Sequence, residues 1–257
     1  MSQPSARLIA YGCAIADEHR YESCARIGID SVRDPSTPVY EVRGSESIFS
    51  AYNEMLDRAR SDPRVEALAL VHEDFTIKDP RFEEKVRETF ADPGVAIIGV
   101  IGAIGIGGID WWIHRRTLGA ATLRSPEPFP PWGPPLIGEG TVVGPGGTGE
   151  VDMVDGMMLV LSRWATRELR FDESLGPGFD GYDADMCFQA RERGRKVVVA
   201  ELDVEHHHRW ADLSNTAYRS AWKRAHIAFR RKWEGRMPLR MPPPVADTSA
   251  VRTASQD

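Results

Sequence analysis

The sequence predicts an α/β fold in which helices flank an open, mostly parallel central sheet. From residue 7 to residue 91, short apolar runs alternate with segments of helical periodicity, as βαβ units require. Residues 65–71 are apolar apart from Glu66, a pattern typical of a strand buried on both faces. The chain has 257 residues, of which 42% are apolar, so it is long enough to bury one sizeable core.

Turn residues divide the first part of the chain into elements. Residues 8–14 and 38–42 are predicted strands, and a helix is predicted from about residue 46 to residue 60. One face of that helix carries apolar side chains at helical spacing, namely Ile48, Phe49, Tyr52, Met55, Leu56 and Ala59. The buried strand at 65–71 follows.

A second helix and strand come next. Asp79 and Pro80 provide a cap and a first-turn proline for a helix that ends before residues 92–94. A strand is predicted at 95–100, followed by a glycine-rich turn. The apolar run 94–109 has 16 residues with six glycines, which is shorter than the roughly 20 residues of a membrane helix.

A segment rich in glycine and proline follows at residues 125–150. Fourteen of its 26 residues are Gly or Pro, which do not suit a core strand or helix. We predict a long surface loop or lid, because loops of this length inside a domain are usually functional or disordered. A simple connector is the alternative.

Regular structure resumes in the last third of the chain. Residues 157–161 and 195–200 are predicted strands, and a helix at 183–193 is ended by Gly194. A long helix is predicted at 214–233, with Tyr218, Trp222, Ala225, Phe229 and Trp233 on one face.

The domain organisation is predicted from composition. We expect residues 1–241 to form a single domain, and residues 242–257, which are Pro-rich and then small and polar, to be a disordered tail. Three scattered cysteines and an amino terminus without a secretory pattern favour a reduced, cytoplasmic location.

The charge balance excludes one class of partner. The formal net charge is -6, whereas a general nucleic-acid binder normally has a basic excess. Residues 209–240 are the exception, with nine basic and two acidic side chains. The helix at 214–233 could therefore face an anionic membrane or donor phosphates, and a solvated surface is the alternative. A location peripheral to the inner membrane face would follow from the first interpretation.

Two acids end the buried strand 65–71, in the sequence His72-Glu73-Asp74. In open α/β sheets, ligands bind outside the carboxyl ends of the strands. Carboxylates at that place suit Mg²⁺ or Mn²⁺ bound to a diphosphate. A charged turn without a ligand is the alternative.

Acids and glycines cluster before the helix at 183–193. Residues 178–186 contain five of them, among them Asp183 and Asp185. Helix capping accounts for one carboxylate, because helix amino termini favour negative charge. The number of acids leaves at least one carboxylate for another role.

A run of three histidines, His206, His207 and His208, follows the strand at 195–200. In an extended segment His206 and His208 share one face, and neutral imidazole is a common ligand of Mn²⁺ or Zn²⁺. A surface run without a ligand is the alternative. Trp111 and Trp112 could stack on a sugar ring or lie in the core.

Taken together and in this order, these motifs resemble family-2-like glycosyltransferases of the GT-A fold, over residues 7–233. The motifs that carry the resemblance are Ala51-Tyr52-Asn53, His72-Glu73-Asp74, Val151-Asp152-Met153-Val154-Asp155-Gly156, Arg170-Phe171-Asp172-Glu173, Gly181-Tyr182-Asp183-Ala184-Asp185-Met186-Cys187 and Val204-Glu205-His206. The resemblance implies a GT-A-like nucleotide-diphospho-sugar transferase fold and a nucleotide-sugar donor held through Mn²⁺ or Mg²⁺. The implied acceptor is a saccharide or small molecule.

The resemblance also implies roles for individual residues. Asp74 falls on the metal-binding position of the acidic strand-end motif, and His206 matches the later histidine that often completes the metal shell. Asp183 falls on the catalytic base, which takes the proton of the acceptor hydroxyl if the enzyme inverts. The implied donor contacts are Asn53, His72 and Glu73. The implied acceptor contacts are Trp111, Trp112, Asp155, Gly156 and Asp185.

Two other functions remain open at this stage. Because His72 replaces the first acid of the usual motif, the chain could be a non-catalytic nucleotide- or carbohydrate-binding protein on the same fold. The three histidines could instead serve a zinc-dependent hydrolase.

Overall fold

The computed structural model describes residues 7–106, 108–109, 117–119, 121–124, 141–143, 146–176, 179–207 and 214–236. Several of the predictions concern residues outside these ranges, namely Trp111, Trp112, His208, positions 125–140 of the glycine- and proline-rich segment, and the tail 242–257. The single domain at 1–241 also stays a prediction.

The described residues alternate strands and helices along the chain. The strands are β1 (Leu8–Ile15), β2 (Val39–Arg43), β3 (Val65–His72), β4 (Phe75–Ile77), β5 (Val95–Gly99), β6 (Ile101–Ala103), β7 (Thr117–Gly119), β8 (Thr122–Arg124), β9 (Thr141–Val143), β10 (Gly149–Val151), β11 (Met153–Val154), β12 (Met158–Ser162), β13 (Lys196–Val199) and β14 (Val204–His207). The helices are α1 (Glu18–Arg20), α2 (Arg26–Val32), α3 (Ile48–Ser61), α4 (Phe82–Phe90), α5 (Arg163–Glu168), α6 (Tyr182–Glu192) and α7 (Thr216–Trp233).

The predicted α/β fold is confirmed. Each element predicted with explicit bounds begins and ends within two residues of an observed one. The segment from α1 through a π-helical turn (Tyr21–Ala25) to α2 is an addition that the hydrophobic pattern does not predict.

The central sheet has seven strands in the order β10-β13-β5-β12-β3-β1-β2. Five of its strands run in one direction and two, β10 and β12, run against them, so the predicted mostly parallel sheet is confirmed and is mixed in detail. The pairs β1–β2, β1–β3 and β13–β5 are parallel, whereas β12 runs antiparallel to both β3 and β5, and β10 runs antiparallel to β13. The hydrophobic pattern of the sequence indicates which residues form strands. It does not indicate the direction of each strand, which depends on the edge of the sheet from which the chain enters it.

The reversed direction of β12 matters for the position of later residues. Met158 at its start pairs with Val71 near the end of β3, and the amide of His72 donates to the carbonyl of Met157 at 3.1 Å. Residues that precede β12 therefore meet residues that follow β3. A parallel β12 would have carried Asp155 to the opposite edge of the sheet.

A smaller sheet, of order β4-β14-β8-β9, brings His206 and His207 to the same edge. In the antiparallel pair β4–β14, His206 lies opposite Phe75, and the amide of His207 donates to the carbonyl of Asp74 at 2.8 Å. This pairing places His206 beside the strand-end acids.

Helices pack against the central sheet and against each other. The apolar face predicted for α3 is buried against β1, β2 and β3. On α7, the rings of Phe229 and Trp233 lie 5.3 and 5.5 Å from the ring of Phe188 on α6. Within the part of the chain that is described, no helix is long and apolar enough to cross a membrane.

Candidate active site

Three potential metal ligands meet beyond the end of β3. Each of His72, Asp74 and His206 offers one ligand atom, and these atoms all lie within 4.8 Å of one another. Asp74 Oδ1 and His206 Nε2 are 3.1 Å apart, and both side chains are buried. Asp74 and His206 were the predicted metal ligands, whereas His72 was predicted to contact the donor.

A guanidinium group touches the other side of the Asp74 carboxylate. Arg20 Nη2 lies 2.8 Å from Asp74 Oδ2 and donates to the carbonyl of His207 at 2.6 Å. Burial by itself raises the pKa of Asp74, but the hydrogen bond and charge of His206, with the charges of His72 and Arg20, hold it well below the usual range. The carboxylate is therefore ionised at neutral pH.

The donor set fits a divalent transition metal. Two imidazoles and one carboxylate form a ligand combination that suits Mn²⁺ or Zn²⁺. Neighbouring ligands of an ion bound at about 2.1 Å lie about 3 Å apart, which agrees with the 3.1 Å between Asp74 and His206. His72, Asp74 and His206 would hold such an ion and leave its remaining positions to substrate oxygens.

Asp183 lies at the start of α6, and its carboxylate is held by backbone amides. Asp183 Oδ1 accepts from its neighbour Ala184 N at 2.8 Å, and Oδ2 accepts from Gly156 N at 2.9 Å. Burial, followed by the negative charge of Asp155, raises the pKa of Asp183 to about 7. A carboxyl that titrates near neutral pH suits a general base.

Tyr182 connects this carboxyl to the potential metal ligands. Its hydroxyl lies 2.6 Å from His72 Nε2, and its ring is 3% exposed. On the other side, a Cβ atom at Gly156 would lie 2.0 Å from the Tyr182 hydroxyl oxygen. Only glycine fits at position 156 while the phenol keeps its position.

Two further predicted residues make contacts within the protein. The side chain of Asn53 bonds both the amide and the carbonyl of Phe171, at 3.0 and 2.9 Å. Glu73 Oε2 accepts the amides of Ala16 and Asp17 at 2.6 and 2.8 Å, which fixes the loop after β1. Both residues thus shape loops beside the site, and their predicted donor contacts stay predictions.

Asp185 points away from Asp183, into the contact with α7. It is fully buried, and its carboxylate accepts from Gln189 Nε2 at 2.7 Å, Trp233 Nε1 at 2.8 Å and Lys232 Nζ at 2.8–3.0 Å. These three donors leave no exposed carboxylate oxygen. The acceptor contact predicted for Asp185 stays a prediction, which these internal contacts do not favour.

Comparison with known proteins identifies the family. Residues 12–230 match the glycosyltransferase-like family. The chain belongs to that family. This membership confirms the predicted resemblance to glycosyltransferases.

A curated relative and two solved structures are similar to this glycosyltransferase-like chain. The streptomycin biosynthesis protein StrF of Streptomyces griseus is 29% identical over 202 residues, which are 78% of this chain and 66% of StrF. The chain thus spans just under two thirds of that relative's length. GalNAc-T7, solved with UDP, GalNAc and Mn²⁺, has a TM-score of 0.54 at 9% identity, over 80% of this chain and 45% of that one.

The second solved structure is the mannosyltransferase PcManGT from Pyrobaculum calidifontis in complex with GDP-Man and Mn²⁺. Its TM-score is 0.52 at 10% identity, and the match covers 93% of this chain and 67% of that one. At these identities both structures show a shared fold. They confirm the predicted GT-A fold.

The glycosyltransferase-like site contains residues that sequence reasoning assigned differently or missed. His72 ends β3 two positions before Asp74, and imidazole is a common metal ligand, so the sequence contained a signal for its position among the ligands. The sequence contained no signal that Arg20 and Tyr182 belong to the site. Each of them reaches it only through a contact between distant segments.

Proposed function

We propose that this chain transfers a sugar from a nucleotide-diphosphate donor to an acceptor hydroxyl, with a bound Mn²⁺ or Mg²⁺. One observation carries the proposal. The cluster of His72, Asp74 and His206 and the carboxyl of Asp183 are connected through Tyr182, which precedes Asp183 and contacts His72. A potential metal site and a potential base thus lie at one edge of the sheet, in a chain of the glycosyltransferase-like family.

Each residue of the site has a separate role in the proposed reaction. In an inverting transfer, Asp183 takes the proton from the acceptor hydroxyl as its oxygen attacks the anomeric carbon, and the bond from that carbon to the diphosphate breaks. The amides of Gly156 and Ala184 hold the Asp183 carboxylate in place. A divalent cation, when bound, supplies positive charge to the departing diphosphate.

The substrates follow from the same site. A nucleotide-diphospho-sugar is the proposed donor, which agrees with the UDP and GDP-Man of the two solved structures that share the fold. Asp155 and Gly156 lie beside Asp183 and are the proposed acceptor contacts. The acceptor is proposed to be a saccharide or another small molecule.

Two measurements test this function. The full chain is incubated with UDP-, GDP- and dTDP-sugars and Mn²⁺ or Mg²⁺, and donor hydrolysis and the melting temperature are followed. We expect at least one nucleotide diphosphate to raise the melting temperature only when a metal is present. If none does so with either metal, the proposed function is refuted.

Asp183→Asn separates catalysis from binding. It should strongly lower turnover and leave donor binding nearly unchanged, since the carboxyl is assigned to the acceptor proton. Glu88→Gln, on the exposed surface of α4, is the matched control and should keep both. Equal loss of binding and turnover in Asp183→Asn would contradict the base assignment. Donor binding without transfer or hydrolysis by the wild type, over a broad acceptor set, would favour a non-catalytic binding protein.

We also propose that α7 contacts an anionic membrane surface. Five of its exposed side chains are cationic, and none of them has an ion-pair partner among the residues described: Arg219, Lys223, Arg224, Arg230 and Arg231. Ile227 lies among them and is 52% exposed. At about 1 kcal/mol per basic residue near an anionic surface, five such residues support peripheral binding. This contact accords with the predicted cytoplasmic location at the inner membrane face.

Vesicle sedimentation tests the membrane contact. The wild type should sediment with vesicles containing phosphatidylglycerol and stay in solution with pure phosphatidylcholine. Arg230→Glu with Arg231→Glu should weaken binding at least about 30-fold. The control is Arg167→Glu with Arg193→Glu, which makes the same charge change at exposed positions of other segments. It should weaken vesicle binding less. Equal losses, or no sedimentation of the wild type, would refute the contact.

A further inference from the structure

We infer that Tyr182 is a positioning residue for His72, and that Gly156 is glycine because the Tyr182 hydroxyl occupies the space of a side chain there. This inference rests on the proposed function, because it concerns a proposed metal ligand. It adds an element that neither the family match nor the solved structures assign: a single phenol that connects the metal ligands to the loop holding the base.

The phenol ring of Tyr182 is fixed by its surroundings. It is 3% exposed and makes edge-to-face contacts with Phe49 and Tyr52, at interplanar angles of 81° and 80°. The ring centroids of Phe171 and Phe179 lie 6.1 and 5.8 Å from that of Tyr182. Rings that interdigitate at core density leave few alternative rotamers. The hydroxyl is therefore directed to one place.

That place is the Nε2 atom of His72, at 2.6 Å. A neutral imidazole has one protonated nitrogen and one with a free lone pair. When Nε2–H donates to the Tyr182 oxygen, the lone pair lies on Nδ1, so Nδ1 rather than Nε2 would bind an ion shared with Asp74 and His206. Hydrogen bonds of this kind commonly fix both the tautomer and the orientation of histidine ligands.

Gly156 explains how the hydroxyl reaches this position. A Cβ at position 156 would lie 2.0 Å from the Tyr182 oxygen and 2.4 Å from Cζ, far inside van der Waals contact with a buried ring. The amide of the same residue donates to Asp183 Oδ2 at 2.9 Å. Gly156 therefore contacts both the proposed base and the residue that holds His72.

A hydroxyl is not needed for packing alone, since phenylalanine has the same ring. Tyr182→Phe thus tests the hydrogen bond without opening a cavity. We expect Mn²⁺ to bind about 10- to 100-fold more weakly, measured without donor by the electron paramagnetic resonance signal of free Mn²⁺. Tyr11→Phe removes a buried hydroxyl that donates to Glu83 of α4 and is the matched control, with Mn²⁺ affinity near that of the wild type.

Nitrogen NMR of the metal-free chain gives a second readout. Long-range ¹⁵N–¹H spectra should show the Nε2–H tautomer for His72 in the wild type and a mixture of tautomers in Tyr182→Phe. Mn²⁺ binding by Tyr182→Phe as tight as that of the wild type would overturn the inference alone. Tighter binding would also overturn it, because the hydroxyl would then compete with the metal for Nε2. A wild type that binds no Mn²⁺ would refute the inference together with the proposed function.

Discussion

Replacing Asp183 by Asn should stabilise the protein at alkaline pH while it lowers turnover by a factor of about 10² to 10⁴. Folding raises the pKa of this carboxyl from 3.8 to about 7, through burial and then the charge of Asp155. At about 1.4 kcal/mol per pKa unit, the ionised carboxylate lowers the free energy of unfolding by about 4 kcal/mol above pH 7. Asparagine carries no charge, so it removes this penalty.

Part of this gain in stability is offset because the asparagine of Asp183→Asn loses one of the hydrogen bonds that the Asp183 carboxylate accepts. The carboxylate accepts two amides, from Gly156 and Ala184, whereas the single oxygen of Asn accepts one of them and leaves the other without its partner. That loss costs about 2 kcal/mol, which leaves a net gain of about 2 kcal/mol at pH 8. With an unfolding entropy of about 2.1 cal/mol/K per residue, a chain of 257 residues would gain about 4 °C in melting temperature.

The pH dependence has a definite sign. Between pH 3.8 and 7 the folded state keeps the Asp183 proton and the unfolded state does not, so the stability of the wild type falls as pH rises through this window. Asp183→Asn lacks this dependence. Its advantage should therefore be about 2 kcal/mol at pH 8 and about zero at pH 5.

The assay is chemical denaturation at both pH values, together with initial rates. The rate with donor and acceptor should fall by a factor of about 10² to 10⁴, which is the usual contribution of a general base. Glu88→Gln, the exposed control, should change neither quantity. The assignment of the raised pKa would be refuted if Asp183→Asn were less stable than the wild type at pH 8. It would also be refuted if the difference in free energy of unfolding between the two proteins were the same at pH 5 and pH 8.

Two further predictions concern neighbouring acids. Asp155→Asn should move the pH midpoint of kcat/KM below that of the wild type, because it removes a negative charge near Asp183, although burial, the larger cause, keeps the pKa of Asp183 raised. An unchanged midpoint in the pH–rate profile would count against this coupling. Asp185→Ala should lower the free energy of unfolding by about 3 kcal/mol, because Lys232 and Trp233 Nε1 lose a buried acceptor. Urea denaturation measures this loss, and a change below about 1 kcal/mol would contradict the contact with α7.

The local part of the architecture could be predicted from the sequence. Helical spacing located α3, and the uninterrupted apolar run of β3 located the strand that ends at His72. The mixed sheet shows the limit of this approach, since the residues of β12 were found but their direction was not. Periodicity is a property of a few consecutive residues, whereas direction and register depend on packing between distant segments.

The candidate site likewise has one part that could be predicted from the sequence and one part that could not. The residue types of His72-Glu73-Asp74, Asp183 and His206, each at the end of a strand or the start of a helix, were visible in the sequence and pointed to metal and acid–base chemistry. That Asp185, two residues after Asp183, turns into a buried contact with Lys232 could not be seen there. Successive residues of a helix point in different directions, and which one meets solvent depends on the packing of α7.

The sequence by itself determined the α/β class, the order of the elements and the chemical groups available at the strand ends. Only the tertiary structure brought His206 beside Asp74, through the pairing of β14 with β4, and Gly156 beside Tyr182, through the antiparallel start of β12. The physical reason is that backbone propensity and hydrophobic spacing act locally. A site made from distant segments exists only once the sheets have paired and the core between them has closed.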